Sequence, residues 1–263
     1  MKSKLTFIIP INEYDKIVQD NLNKTIKSID EMKGVKGNRL TLVCSAKIKS
    51  EIEKNYQGIL PLTIIECEDE GLIQKINKGV YQCLTKYFTV LEPDICVMEY
   101  WGELAINYMD SHENCGVLLP IFETYNDNKF VGFKNEVAWS PSFIKNDSEL
   151  GKISNDELED YKDFDIYGGL VRTESFIQHG GLKPSFKVAV WYEFMLRMFH
   201  NNIGVNVLPK VGYIRNLNIS TLYKKMLQEV AQDEGAWLID RAIEESFFTE
   251  DRNKIFQKID NKE

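Results

Sequence analysis

The chain lacks any apolar run approaching the ~20 residues that a bilayer-spanning helix requires, so no membrane span is expected. The apolar stretch in its opening MKSKLTFIIP is too short for a secretory leader, and nothing resembling a cleavage site follows it. Basic residues are the scarcer charge, 32 Lys and Arg against 40 Asp and Glu, for a formal net charge of -8. Binding to nucleic acid without sequence preference needs an excess of cations to displace counterions from phosphate, so that class is not expected. Paired cysteines are missing as well. Cys44, Cys67, Cys83, Cys96 and Cys115 form no C-x-x-C motif, are odd in number, and lie in or beside apolar stretches. Buried free thiols in a reducing cytosol are the expectation, rather than a disulfide framework. His112, His179 and His200 show no metal-ligand spacing. No glycine-rich phosphate loop of P-loop or dinucleotide type is present, which weighs against other nucleotide-binding α/β enzymes.

What the chain does have is enough apolar residue, 43% of its 263 positions, to bury the core of one large α/β domain. At 11% aromatic it is unlike a disordered polymer. The expected location is the cytoplasm, or the host cytoplasm or a virion if the gene is viral.

The pattern along the chain alternates. Leu5 to Pro10, Leu40 to Cys44, Leu62 to Ile65, Phe88 to Leu91 and Gly116 to Phe122 read as short buried strands. Between them lie helical stretches, one with Ile17, Leu22, Ile26 and Ile29 near a 3-4 spacing and one with Leu72, Ile73, Ile76, Val80 and Leu84. Strands alternating with helices imply a mostly parallel sheet covered on both faces. Residues 129 to 139 suggest an antiparallel excursion. The acidic stretch from 145 to 165 reads either as a solvated loop with a short helix or as a mobile lid. Residues 173 to 179 and 189 to 202 read as helical, and Val205 to Leu208 as a strand stopped by Pro209. From Ser220 an apolar stripe of Leu222, Met226, Leu227, Val230, Trp237, Leu238, Ile243 and Phe247 reads as a helical extension, either packed on the domain or docking a partner. The expected division is a domain at 1–216 and this extension at 217–263.

Four segments take the argument further: LTFIIPINEYDKIVQDNLNKTIKSI, INKGVYQCLTKYFTVLEPDICVMEYW, YGGLVRTESFIQHGGLKPSF and VAVWYEFMLRMFHNNIGVNVLPKVGYIRN. In this order they resemble the family 2 glycosyltransferases. The resemblance implies the GT-A fold, a Rossmann-like, mostly parallel sheet flanked by helices. Pro10 and Asn12 match the end of the first strand, beside the nucleotide. Asn77 and Gly79 match an Asn-x-Gly helix. Glu92-Pro93-Asp94 falls where the family has an acidic pair, and two carboxylates at a strand end can hold a divalent cation against a diphosphate. Arg172, Phe176 and the Gly180-Gly181 turn match the acceptor-side segment. The implied nucleotide-sugar contacts are therefore Pro10, Asn12, Asn77, Glu92, Asp94 and Arg172. The implied cofactor is manganese or magnesium held by Glu92 and Asp94.

The implied reaction is inverting sugar transfer from a nucleotide sugar, with a carboxylate deprotonating the acceptor. That base usually lies six positions before the helix arginine, where Arg197 counts back to Trp191. Glu193 is the candidate catalytic base in its place. At about 100° per residue it faces roughly 200° away from Trp191, and pairing with Arg197 one turn on is its other role. No acid follows the second strand until Glu51, where the family often reads its base with an aspartate. Two functions stay open: an active glycosyltransferase, or an inactive relative serving as a binding or structural component of an assembly. In the second case a protein partner or a homo-oligomer would form through the C-terminal helices.

Overall fold

A computed structural model of the protein describes residues 4–34, 37–56, 61–68, 71–126, 128–143, 149–154, 157–158, 161, 164–186 and 189–216. The expected extension at 217–263 lies outside the described residues.

The described residues form an α/β sheet of nine strands: β1 (Leu5–Pro10), β2 (Arg39–Cys44), β3 (Leu62–Glu66), β4 (Tyr87–Val90), β5 (Ile95–Val97), β6 (Cys115–Asn126), β7 (Lys129–Lys134), β8 (Leu170–Arg172) and β9 (Gly204–Asn216). Their order is β3-β2-β1-β4-β8-β6-β9-β5, with β7 added to β6. The first four strands run parallel, as does β6 beside β9, while β5, β7 and β8 run against their neighbours. Strand order reverses beside β1: the chain moves outward to β2 and β3, then returns to place β4 on its other side. Ligands of open α/β sheets bind at such a switch point, outside the carboxyl ends of the strands.

Helices cover both faces. Helix α1 (Lys16–Asp30), α2 (Ala46–Tyr56) and α4 (Trp101–Ser111) pack on one side against Leu5, Phe7 and Ile9 of β1. On the other side α3 (Leu72–Tyr81), α5 (Thr173–Gln178) and α6 (Val190–His200) pack against Ile8, Val43 and Phe88. Every residue of β1 is buried, as a central parallel strand clothed on both faces requires. All five cysteines are free thiols, with Cys44, Cys67 and Cys115 buried.

Two expectations need correction. Pro209 does not end the ninth strand, which runs on to Asn216. Its pairing with β6 shifts register between Leu119 and Ile121, and such an irregularity accommodates a residue that cannot donate to the ladder. The stretch from 145 to 165 is only partly solvated in its described residues, with Glu149, Leu150 and Lys152 exposed. Ile153, Leu158 and Phe164 are buried in the core beneath α6, and Glu157 beside them is buried too, accepting a hydrogen bond from the Ser154 amide.

Candidate functional site

The carboxyl ends of β1 and β4 and the end of β9 meet on one edge of the sheet. Glu92 and Asp94 leave β4 there, Asp165 and Tyr167 enter β8, and Arg215 closes β9. Arg215 is held on both sides, because β9 pairs it with Thr124 of β6 and with Ile95 of β5. Its guanidinium hydrogen-bonds Glu92 through Nη2 and Asp165 through Nη1, the latter at 3.2 Å. Asp94 Oδ2 lies 3.9 Å from Nε, an ion pair without a hydrogen bond. The Tyr167 ring covers the guanidinium at 5.6 Å, and Trp191 of α6 packs edge-on against that ring. Gly168 makes the turn possible. Its φ of 78° favours glycine, and a Cβ there would meet the Tyr213 ring at 2.6 Å.

Burial pushes the Glu92 carboxyl up to about 7, against the pull of Arg215, and neighbouring Asp94 and Asp165 push it the same way. Asp94 is raised by burial too. Burial alone would lower the Arg215 pKa, but Glu92, Asp165 and Asp94 raise it, so the guanidinium stays charged. The Arg215 guanidinium thus lies among three acids, two of which, Glu92 and Asp94, have raised pKa values.

The sequence-derived residues divide into three groups. Pro10, Asn12, Glu92 and Asp94 share the carboxyl edge. Asn12 accepts a hydrogen bond from Lys75, whose side chain is 1% exposed on α3. Asn77, also on α3, clamps the turn after α5: its Nδ2 donates to the Leu182 carbonyl at 2.7 Å and its Oδ1 accepts from the Leu182 amide at 2.9 Å. Arg172 sits at the opposite edge, paired with Tyr87 at the start of β4. It donates to the carbonyls of Met109, His112 and Cys115, capping the end of α4. The structure therefore places Arg172 at the opposite end of the strands from Pro10, Asn12, Glu92 and Asp94.

Glu193 is also placed apart from the acidic turn. It is 4% exposed, and its two oxygens accept from Nε and Nη2 of Arg197 at 2.6 and 2.8 Å. Lys183 reaches the same carboxylate at 3.0 Å. Arg197 in turn donates to the carbonyls of His179 and Gly181, so the pair fastens α6 to the Gly180-Gly181 turn. This is the helical i, i+4 partnership, and Glu193 is the single acid on α6. Trp191 faces Tyr167 and the acidic turn instead.

The donor set expected to hold a divalent cation is present but engaged. The Arg215 guanidinium lies among Glu92, Asp94 and Asp165, and among the described residues no group of three or more His, Cys, Asp or Glu is arranged to hold a metal ion. As they stand, these residues do not fit a divalent ion.

Sequence reasoning missed Arg215. It lies in the fourth family-like segment, but a strand ended at Pro209 gave it no position in the sheet. The signal available was the β-prone residues Val211, Tyr213 and Ile214, which carry β9 past the proline. Two open clefts flank the sheet, one of about 390 Å³ along α3 lined by Cys67, Glu68, Asn77, Lys78 and Tyr81, and one of about 510 Å³ at the amino edge beside Arg172. Neither includes the acidic turn.

No protein-family profile matches the chain, and no curated protein matches it. Solved structures do. TarS of S. aureus, residues 1–349 in complex with UDP, aligns with a TM-score of 0.62 at 14% identity, over 95% of this chain and 73% of that one. The same protein in complex with UDP-GlcNAc aligns at 0.61 and 15% identity, over 82% of this chain and 59% of that one. Against the longer TarS chain the match covers 85% of this chain and 38% of that one, at a TM-score of 0.58 and 16% identity. The chain thus spans well under half of that longer protein. The expected fold is confirmed: the protein has a glycosyltransferase-like α/β fold of GT-A type, shared with structures that hold UDP and UDP-GlcNAc.

Proposed function

We propose that this chain binds a nucleotide sugar at the carboxyl edge of β1 and β4 and retains it without transferring the sugar. The fold shared with UDP and UDP-GlcNAc complexes supports the ligand class. One observation carries the loss of transfer: the only acid on α6, Glu193, is committed to Arg197 and Lys183, while Trp191 stands where the family places its base. The pair fastens α6 to the Gly180-Gly181 turn, while the side chain that α6 turns toward the acidic turn is Trp191, which has no carboxylate. In this reading the protein is a binding component, and the segment at 217–263 is its route to a protein partner or a second copy.

The test is to incubate the purified protein with UDP-GlcNAc and follow both binding and UDP release. Binding with release no faster than in buffer is the expected result. Sustained UDP release, with or without an added acceptor, overturns it.

A second reading, inverting sugar transfer, is favoured by Glu92. A carboxyl titrating near 7 is in the range of a general base. It would take the acceptor hydroxyl's proton as that oxygen bonds the anomeric carbon and the nucleoside diphosphate departs with the bonding electrons. UDP release that disappears in Glu92→Gln would select this reading.

A further inference from the structure

We propose that Arg215 is a built-in substitute for a divalent cation at the acidic turn, so that nucleoside-diphosphate binding here is independent of metal. The ligand part rests on the proposed nucleotide-sugar site. The part about the cation position does not.

The geometry is that of a cation position filled from within the chain. Glu92 and Asp94 flank Pro93 directly after a central parallel strand, and Asp165 approaches from the turn into β8. All three carboxylates point at one guanidinium. The acids come from two segments far apart in the chain, Glu92 and Asp94 from one turn and Asp165 from another, and Arg215 joins them. A guanidinium is a planar fork of donors suited to several carboxylate oxygens at once. A second, divalent charge at contact distance from it would be strongly repelled in a site this buried.

The guanidinium cannot easily withdraw to admit a metal. Arg215 belongs to a strand hydrogen-bonded on both sides, so its backbone is fixed by β5 and β6. The ring of Tyr167 lies over the guanidinium and Trp191 backs that ring. A metal ion exchanges with solvent, whereas this cation is covalently attached and permanently charged. Its Nε is buried, with the Asp94 carboxylate 3.9 Å away. With 15% of its side chain exposed, Arg215 offers a diphosphate at the acidic turn a fixed positive charge in a metal's place.

The experiment uses the full chain, free Mn²⁺ and UDP. Mn²⁺ binding is read by electron paramagnetic resonance without nucleotide, and UDP binding by thermal melting with Mn²⁺ or with EDTA. The wild type is expected to leave Mn²⁺ free, and its UDP-induced rise in melting temperature is expected to be the same in EDTA. Arg215→Met, which removes the guanidinium from Glu92 and Asp94, is expected to bind Mn²⁺ at least tenfold more tightly than the wild type, and to gain a Mn²⁺-dependent rise in melting temperature. Adding Asp94→Asn should abolish that gain.

Tight Mn²⁺ binding by the wild type that is lost in Asp94→Asn overturns the proposal. A UDP-induced shift that EDTA removes also overturns it. If Arg215→Met does not fold, the wild-type Mn²⁺ measurement still decides the cation position. If UDP gives no shift under any condition, the nucleotide-sugar reading fails, while the Mn²⁺ arms continue to test the role of Arg215.

Discussion

Glu193 and Arg197 form a two-point ion pair along one turn of α6, with Nε and Nη2 donating to the two carboxylate oxygens at 2.6 and 2.8 Å. Both side chains are largely withdrawn from solvent, at 5% and 13% exposure. Removing one member of such a pair leaves the other charge buried. Glu193→Gln should therefore lower stability by roughly 3 kcal/mol, measured by denaturant unfolding. At temperatures where the variant remains folded, its affinity for UDP should equal that of the wild type. A stable Glu193→Gln protein would show that the pair is not a structural clamp.

Asn77 makes both a donated and an accepted hydrogen bond with the backbone of Leu182, joining α3 to the turn after α5. Asn77→Ala strands a buried amide and a buried carbonyl together, at a cost of about 1–3 kcal/mol. Hydrogen exchange at the Leu182 amide should accelerate in the variant. Unchanged protection at that amide would mean that another group holds the turn.

Gly79 lies where α3 crosses β1 and β2. A Cβ there would meet Ile8 Cγ2 at 2.8 Å and Val43 Cγ2 at 3.0 Å. In an exposed helix, Gly→Ala would add stability. Here the helix must lift from the sheet, so Gly79→Ala should destabilise by about 1–3 kcal/mol. Thermal melting decides the sign.

Glu92 links stability to pH. Its folded pKa is raised from the ordinary 4.5 to about 7, so the folded protein holds a proton that the unfolded chain releases. That contribution is fully present below about 4.5 and is lost as pH rises through about 7. Asp94 acts in the same direction. Glu92→Gln should remain protonation-independent at this position, so its stability relative to the wild type should improve as pH rises from 5 to 7. The comparison is urea unfolding of both proteins across that range. Parallel curves would show that Glu92 does not titrate there.

Asp110 behaves oppositely. Burial alone would raise its pKa, but hydrogen bonds from Lys4, Lys86 and Tyr87 hold it well below the usual carboxylate value. Its contribution is present above about 3.8 and is lost as pH falls below that. Because the lysines are exposed, Asp110→Asn should cost only about 1 kcal/mol at neutral pH, read by chemical denaturation, and the difference should shrink in acid.

Much of the fold was legible in the sequence because it depends on local patterns. The apolar run Leu5 to Pro10, Leu22, Ile26 and Ile29 of α1 and Ile73, Ile76 and Val80 of α3 each state their own burial, whereas Ile17 is exposed and Leu84 lies exposed beyond the end of α3; alternating strands and helices imply parallel pairing. The same four segments that suggested the GT-A fold place Pro10, Asn12, Glu92 and Asp94 together on one edge, since strand direction alone brings those ends into register. The sequence also allowed both roles for Glu193, because helical spacing sets which neighbours it can reach.

Only the tertiary structure decided among those roles. Whether Glu193 faces a cleft or a buried arginine depends on how α6 rotates against the Gly180-Gly181 turn, a packing outcome that spacing does not encode. Arg172 matched the family pattern, yet its strand runs antiparallel to β4 and carries it to the far edge. Arg215 reaches Glu92 across 123 positions of chain because β9 continues past Pro209 between β5 and β6. Side-chain periodicity is a property of neighbours in sequence. The partners of a charge are set by strand order and direction, which exist only once the sheet has assembled.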